Sequence, residues 1–181
     1  PKEHIADTSF RYTNGGINAS LSFNTKISAT LKLKIVNNQD EVVSTYTGEI
    51  SNVDVIEIET ISFPSQYLWS LEEPNQVEIH IELRDLLDKK SIIDALQYQT
   101  GFRDITFENQ TFYINQVPHP HFRAARLEIE EDWTKRLQEI LQSGVQAIEI
   151  HGEIIPDGLL EWADRVGMGV IIVPRCIGRT I

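Results

Sequence analysis

The feature that most constrains the fold of this chain is a change in hydrophobic period partway along it. Up to about Phe107, short segments alternate polar and apolar residues, whereas from about Glu130 a helical stripe alternates with fully apolar segments. A period of two is typical of strands with one buried face, and apolar strands between helices are typical of a parallel sheet. We therefore expect two structural units, residues 1–107 and 108–181, with a join near 108–120.

The first region is predicted to be an antiparallel β-sandwich. Its clearest alternating segments are Ser20–Phe23, Thr30–Ile35, Val53–Glu59 and Val77–Leu83. Asn14-Gly15-Gly16 precedes the first of them and suits a two-residue hairpin, because Asn and Gly accept a positive φ. About seven such strands in roughly 100 residues indicate an immunoglobulin-like sandwich.

The second region is predicted to alternate helices and strands. A helical stripe with the spacing i, i+4, i+7, i+8 is formed by Trp133, Leu137, Ile140 and Leu141. Gly144 suits the left-handed position after that helix. Strands are expected at 145–150 and 169–173, with a helix at 156–166 between them and Gly167 closing that helix.

We expect these strands to lie parallel and adjacent, joined by a right-handed crossover, with a strand near 121–129 on the other edge. Both helices should pack on one side of the sheet. Two strand-helix units do not close a barrel, so the chain is expected to be a truncated domain or to pack in an unusual way. In a truncated domain the apolar residues 170–173 would form an unpaired edge, which favours self-association into a homo-oligomer or partial disorder near the C-terminus.

Composition excludes several classes of function. The 181 residues carry a formal net charge of −11, which disfavours binding to nucleic acid because phosphate backbones are also negative. No apolar run approaches the roughly 20 residues that span a bilayer. Cys176 is the single cysteine, so an intramolecular disulfide is impossible and a buried thiol is expected. The start of the chain is not a signal peptide, and the compartment stays open.

Three stretches of sequence resemble glycoside hydrolase family 2, the family of β-galactosidases, β-glucuronidases and β-mannosidases. Residues 68–75 (LWSLEEPN) are similar to the Leu-Trp-Ser-Pro-Glu-Asn-Pro stretch of the family's sandwich. Residues 101–105 (GFRDI) resemble the Gly-Phe-Arg segment of its last sandwich strand. Residues 112–118 (FYINQVP) resemble the hairpin that leads into the first strand of its barrel. Residues 143–148 and 163–170 look like barrel helix one into strand two and helix two into strand three.

The resemblance implies an immunoglobulin-like β-sandwich followed by the first part of a (β/α)₈ TIM barrel. It also implies a parent enzyme that is a retaining β-glycosidase, with carbohydrate as substrate and no cofactor. Such enzymes need two carboxyl groups about 5–5.5 Å apart. In the family both lie on later barrel strands, so this segment is expected to contain no catalytic residue and to be structural. Within that picture Trp69 is expected in the core at the edge of the sandwich.

The sequence also departs from the family pattern. The Asn-Gly-Lys turn is replaced by Asn115-Gln116, and the Arg-Gly and His-Glu loop after barrel strand one by residues 123–128, which indicates a shortened loop. Glu149 occupies the position of the family's strand-two arginine, with His151 one place closer than the family histidine. These changes predict a divergent member or a relative that has lost activity.

The candidate substrate-binding residues are His151 and Glu153, which follow Glu149 at alternate positions near the end of a predicted barrel strand. Barrel active sites gather at that rim, although a solvated strand end explains the same pattern. His119 and His121 flank Pro120, but a zinc site needs three or four ligands, so no metal site is expected. Residues 130–132 (EED) suit the positive end of a helix dipole.

A second hypothesis comes from a different class of function. The chain would then be a non-catalytic carbohydrate-binding or protein-interaction module of a larger surface protein. A barrel that continues after Ile181 with both family carboxylates would favour the enzyme, whereas further sandwiches or a stop would favour the module.

Overall fold

The computed structural model describes residues 3–13, 15–129, 133–152 and 155–174. Contacts divide the chain into two compact units. The first unit comprises residues 1–68 and 76–104, and the second comprises 69–75 and 105–181. The short segment 69–75 therefore leaves the first unit and packs with the second.

The first unit is mainly β and forms one strongly curled sheet. Its strands are β1 (Ile5–Thr13), β2 (Gly16–Asn37), β3 (Val42–Ser62), β4 (Val77–Arg84) and β5 (Ile92–Thr100). The sheet order is β1-β2-β4-β5, with β3 along the other side of β2, and all of these pairs are antiparallel. A single 3₁₀ turn at Ser65–Tyr67 follows β3.

Two long strands replace several of the short strands expected from the sequence. β2 has 22 residues and β3 has 21. The register between them shifts at several points, including between Ser22 and Ile27 and between Ile27 and Ala29. Such bulges bend a strand without ending it, so β2 and β3 continue through these points as long, bent strands. The curled sheet agrees with the expected β-sandwich, with fewer and longer strands.

The core of the first unit lies inside the curl. Alternate residues of β2 and β4 are almost wholly buried, among them Leu31, Leu33, Ile79 and Ile81. The alternation predicted in β2 and β4 is thus confirmed, whereas in the segment Val53–Glu59 of β3 Val55 is 50 % exposed and only Ile58 is buried. Phe102 of the GFR segment packs there edge-on against Phe63, with ring centroids 5.1 Å apart.

Both open sides of the curl are joined by hydrogen bonds. The backbone N–H of Ile5 in β1 donates to the Asp94 carboxylate in β5 at 2.9 Å. The Ser44 hydroxyl, near the start of β3, donates to the carbonyl oxygen of Ser62 at the end of the same strand. The two ends of β3 therefore meet, which shows how far the sheet folds back on itself.

The second unit contains an antiparallel meander and a parallel sheet with two helices. The meander consists of β6 (Ile105–Glu108), β7 (Thr111–Ile114) and β8 (Val117–His119). The parallel sheet consists of β9 (Ala124–Leu127), β10 (Ala147–His151) and β11 (Gly169–Val173), in the order β11-β10-β9. The helices are α1 (Trp133–Gln142) and α2 (Leu159–Val166).

The meander turns twice through the same dipeptide. Asn109-Gln110 joins β6 to β7, and Asn115-Gln116 joins β7 to β8; all four residues have positive φ, between 49° and 69°. Two consecutive left-handed residues make the type I′ turn that suits a two-residue hairpin. The departure at Asn115-Gln116 thus keeps a tight hairpin without the glycine that normally favours it.

The parallel pairing predicted from the sequence is confirmed. Ile148 lies opposite Val170 of β11 and Ala125 of β9, and both pairings are parallel. The two helices and one face of β10 share a single buried cluster that includes Leu137, Leu159 and Ile150. Both helices therefore cover the same face of the sheet, also as predicted, while the handedness of the β10–α2–β11 connection stays a prediction.

In each helix of the second unit, one leucine is more exposed than the amphipathic sequence pattern predicts. Leu141 and Leu160 belong to the apolar stripes of the sequence, but they are 41 % and 48 % exposed. Gly144 and Gly167 follow the two helices in the left-handed conformation, with φ of 71° and 73°, as expected. Residues 130–132 and Cys176 lie outside the described residues.

Candidate functional site

The candidate site lies on the face of the parallel sheet that the helices do not cover. Successive strand residues point to opposite faces. Because Ile148 and Ile150 point to the helices, Glu149 and His151 point the other way. His151 is the last residue of β10, so the pair lies at the carboxyl end of the strand.

The opposite end of this face is closed by aromatic side chains. Phe122 lies beside Gly169, where β11 begins, since a Cβ built on Gly169 would come within 3.4 Å of its ring. Phe112 of the meander contacts Phe122 at a tilt, with centroids 4.9 Å apart, and Phe107 contacts Phe112 in the same way at 4.7 Å. Polar groups on this face of β10 therefore lie toward the carboxyl end.

Glu149 and His151 contact each other directly. Nε2 of His151 faces Oε1 of Glu149, and both side chains are about one third exposed. The contact fixes the imidazole against the carboxylate, so that each orients the other. Gly152 continues the strand ladder beyond them, with its N–H donating to the carbonyl of Val173 at 3.3 Å.

An arginine on the neighbouring strand completes a polar row. Arg126 of β9 lies opposite Glu149 in the register, so its side chain points to the same face. Its Nε contacts Oε1 of Glu128 at 2.7 Å. Arg126 and His151 therefore each already face a carboxylate, that of Glu128 and that of Glu149.

Such a row can bind hydroxyl groups. Carboxylates accept hydrogen bonds from two hydroxyls, and guanidinium and imidazole N–H groups donate to hydroxyl oxygens. The nearby Glu153, the other candidate from the sequence, lies outside the described residues. β9 confirms the strand predicted near 121–129. Arg126 and Glu128 were nevertheless missed as site residues, because residues 123–128 were compared only with a shortened family loop. Their alternation with Leu127 was the available signal.

Trp69 serves a structural role different from the one expected. It is 1 % exposed, but it packs within the second unit and not in the core of the sandwich. Its indole N–H donates to the carbonyl oxygen of Asp164 in α2 at 2.6 Å. The Asn115 side chain donates to the backbone carbonyl of Trp69 at 2.9 Å. Segment 69–75 thus connects α2 to the β7–β8 hairpin through hydrogen bonds. These bonds join residues that are far apart in the sequence, so hydrophobic periodicity does not predict them.

Other kinds of site have no support in the described residues. No group of three or more His, Cys, Asp or Glu side chains there is close enough to hold a metal ion. His119 lies opposite Phe112 in the meander. Across the described ranges, no helix combines the length and apolar character needed to cross a membrane.

Comparison with known proteins gives matches at the level of structure. No protein-family profile and no curated protein matches the sequence. A β-glucuronidase of Bifidobacterium dentium, solved with coumarin-3-O-glucuronide, aligns with a TM-score of 0.81 at 17 % identity over 94 % of this chain. A β-glucuronidase of Ruminococcus gnavus, solved with D-glucaro 1,5-lactone, aligns with a TM-score of 0.75 at 15 % identity over 99 % of this chain.

A glycosyl hydrolase family 2 member of Bacteroides cellulosilyticus aligns with a TM-score of 0.73 at 17 % identity over 94 % of this chain. The aligned parts make up 31 %, 31 % and 26 % of these three structures, so this chain spans under a third of their length. This chain therefore has the fold of the corresponding part of a family 2 glycosyl hydrolase and of two β-glucuronidases, which confirms the family 2 resemblance of its motifs at the level of the fold.

Proposed function

We propose that this chain is a segment of a family 2-like glycoside hydrolase, a retaining β-glycosidase that cleaves O-glycosidic bonds in carbohydrates. The segment comprises an immunoglobulin-like sandwich and the first three strands of a TIM-barrel-like domain. The observation that carries the proposal is the parallel sheet β9-β10-β11, with both helices on one face and a polar row at the carboxyl end of the other. Active sites of barrel enzymes lie at that end of the strands.

In this proposal the segment positions substrate and performs no bond cleavage. The family resemblance puts the acid/base and nucleophile carboxylates on later strands. Glu149 and His151 supply an acceptor and a donor for sugar hydroxyls, held in place by their mutual contact. Arg126 adds a second donor beside them. The substrate is a carbohydrate, and no cofactor takes part.

The substitution of Glu149 for the family's arginine bears on substrate choice. Arg126 already faces Glu128, and His151 contacts Glu149, so this row offers no unpaired guanidinium to neutralise an anionic sugar. A neutral glycoside fits this row better than a glucuronide, because like charges at close range repel. The glucuronides seen in the structural neighbours are therefore not proposed as substrates here.

The test uses the full-length gene product that carries these residues, with neutral aryl β-glycosides as substrates. We expect turnover by that product and none by the 181-residue chain alone, because the family's two carboxylates are absent from it. His151→Ala should lower kcat/KM by about tenfold to a hundredfold, as loss of one positioning hydrogen bond does. His121→Ala, an exposed histidine of the same chain, is the matched control and should leave kcat/KM unchanged.

Turnover by the 181-residue chain that a point mutation within it abolishes would contradict the non-catalytic role. A full-length product without turnover would favour the second candidate, a non-catalytic carbohydrate-binding or protein-interaction module of a larger surface protein. The observation in favour of this module is Glu149 itself, which removes a family residue from the site.

A further inference from the structure

A polar cleft lies at one end of the first unit. β2 ends, β4 begins and β5 ends at the same level, since Asn37 pairs with Val77 and Val77 pairs with Thr100. The turn between β2 and β3 closes one side. The cleft has a volume of about 240 Å³, and its lining is almost wholly polar: Asn37, Asn38, Asp40, Gln76, Glu78 and Gln99.

The turn that forms one wall is held in a single shape. The Asn37 side chain is almost buried, and its Oδ1 accepts hydrogen bonds from the backbone N–H groups of Gln39 and Glu41 at 2.9 and 3.0 Å. Its Nδ2 donates to the Glu41 carboxylate at 2.8 Å. Asp40 is in the left-handed conformation, with φ of 61°. The polar groups of the turn are therefore positioned before any ligand arrives, which lowers the entropic cost of binding.

The opposite wall is ordered as well. Oε1 of Glu78 accepts a hydrogen bond from the Gln97 amide and lies 2.8 Å from Nε2 of His80. Both contacts are made by Oε1 of Glu78. They therefore fix the direction in which Oε2 of the same carboxylate points.

Four of the lining residues are open to solvent: Asn38, Asp40 and Gln99 are exposed, and Gln76 is half-buried. The cleft thus gathers three carboxamides and a carboxylate that a ligand can reach.

The chemistry of these groups selects a class of ligand. Carboxamides donate and accept, and carboxylates accept, which together match a ligand whose hydroxyls both donate and accept. The lining includes Asp40 and Glu78 and no cationic side chain, so phosphates and sugar acids are repelled. A metal ion is disfavoured, because no metal-holding group of His, Cys, Asp and Glu occurs in the described ranges.

The size of the cleft limits the ligand further. Pockets for drug-sized ligands measure roughly 300–1,000 Å³, so this cleft admits a smaller molecule. We propose that it binds one neutral sugar unit, either a monosaccharide or the terminal residue of a saccharide. This site would be separate from the row on β10 and does not depend on the proposed enzymatic function. With no aromatic platform among the lining residues, the affinity should be in the millimolar range.

The test is a titration of the ¹⁵N-labelled 181-residue chain with methyl β-glycosides of glucose, galactose and mannose, followed by two-dimensional NMR. At least one sugar should shift the amide signals of Asn38, Gln76 and Gln99 with saturation at millimolar concentration. Glucuronate should bind at least about tenfold more weakly, as the acidic lining predicts.

Variants separate the cleft from unspecific effects. Asn38→Ala combined with Gln99→Ala should weaken binding at least about tenfold, and Gln76→Ala alone should weaken it measurably. Gln39→Ala changes the adjacent side chain of the same turn, which does not line the cleft, and should leave the affinity unchanged. Well-dispersed spectra of each variant verify that it is folded.

Four outcomes would overturn the proposal. They are the absence of saturable shifts with all three sugars, equal affinity in the double variant, glucuronate binding as tight as that of the neutral sugars, and shifts confined to residues near His151. Shifts with calcium chloride but not with sugars belong to the first of these and would identify a cation site instead. Shifts confined to residues near His151 would leave the proposed function standing and contradict only the cleft.

Discussion

At the scale of single residues, Tyr98 shows how burial changes a titratable group. It lies on the core side of β5 and meets Phe10 of β1 edge-on, with centroids 6.0 Å apart. Burial raises the pKa of the Tyr98 phenol above its ordinary value of 10.0, and a hydrogen bond with the Thr8 side chain partly offsets this. The folded chain therefore holds this proton more tightly than the unfolded chain does.

This shift predicts a loss of stability at alkaline pH. Below about pH 10 the phenol is protonated in both states, so its contribution to the free energy of unfolding is constant. As the pH rises from there through the higher pKa of the folded state, the unfolded chain releases the proton first and stability falls. Urea unfolding of Tyr98→Phe, monitored by circular dichroism, should show a smaller decline in this window than the parent chain. Identical pH dependence in both proteins would contradict the prediction.

At the scale of elements, the end of α2 shows how a segment distant in sequence becomes part of the second unit. Gly167 ends the helix with φ of 73°, and a Cβ built on it would overlap the carbonyl oxygen of Leu71. The Trp69 indole reaches the same helix at Asp164. Glycine is therefore required at position 167 for two reasons. Its backbone is in the left-handed conformation, and segment 69–75 approaches too closely for a Cβ atom.

Gly167→Ala should therefore destabilise the second unit by about 3 kcal/mol or more, since a left-handed alanine costs about 1–2 kcal/mol before any overlap. Gly144→Ala is the matched control, because Gly144 follows α1 with φ of 71° and has no atom within 4 Å of its Cβ position. It should cost only about 1–2 kcal/mol. Tryptophan fluorescence during urea unfolding is the readout, because Trp69, Trp133 and Trp162 all belong to the second unit. Equal losses in both variants would show that the contact with Leu71 is unimportant.

At the scale of the whole molecule, one strand edge of the second unit invites association. Among the described residues β11 pairs with β10 alone, and its other edge has no neighbour. Ile172 in this strand is 47 % exposed. An unpaired apolar strand edge is a template for pairing with another strand.

We therefore expect the 181-residue chain to self-associate, with a mass by light scattering above the 20.7 kDa of one copy. Ile172→Lys should shift the mass toward that of a monomer, because a lysine on an edge strand opposes strand pairing. Leu160→Lys, which removes an equally exposed apolar side chain from α2, should not. A clean monomer of the parent chain with β11 exposed would contradict the prediction.

Much of the fold was predictable because it follows from local pattern. The alternation in 77–83 and most of the stripe of α1 record which face of each element is buried, and the structure buries Ile79, Ile81, Leu137 and Ile140 accordingly. Neighbouring parallel strands follow from the strand-helix-strand order. His151 was predicted near the end of a strand because it follows an apolar run, and in the structure it is the last residue of β10.

The sequence by itself thus determined the elements and their inward faces, because these depend on residues close together in the chain. The tertiary structure alone decided that β2 and β3 run unbroken around the curl, that segment 69–75 packs on α2, and that Arg126 lies beside Glu149. Each of these is a contact between distant segments, or a bend that serves such contacts. Long-range packing sets them, and no short window of sequence records which surfaces will meet.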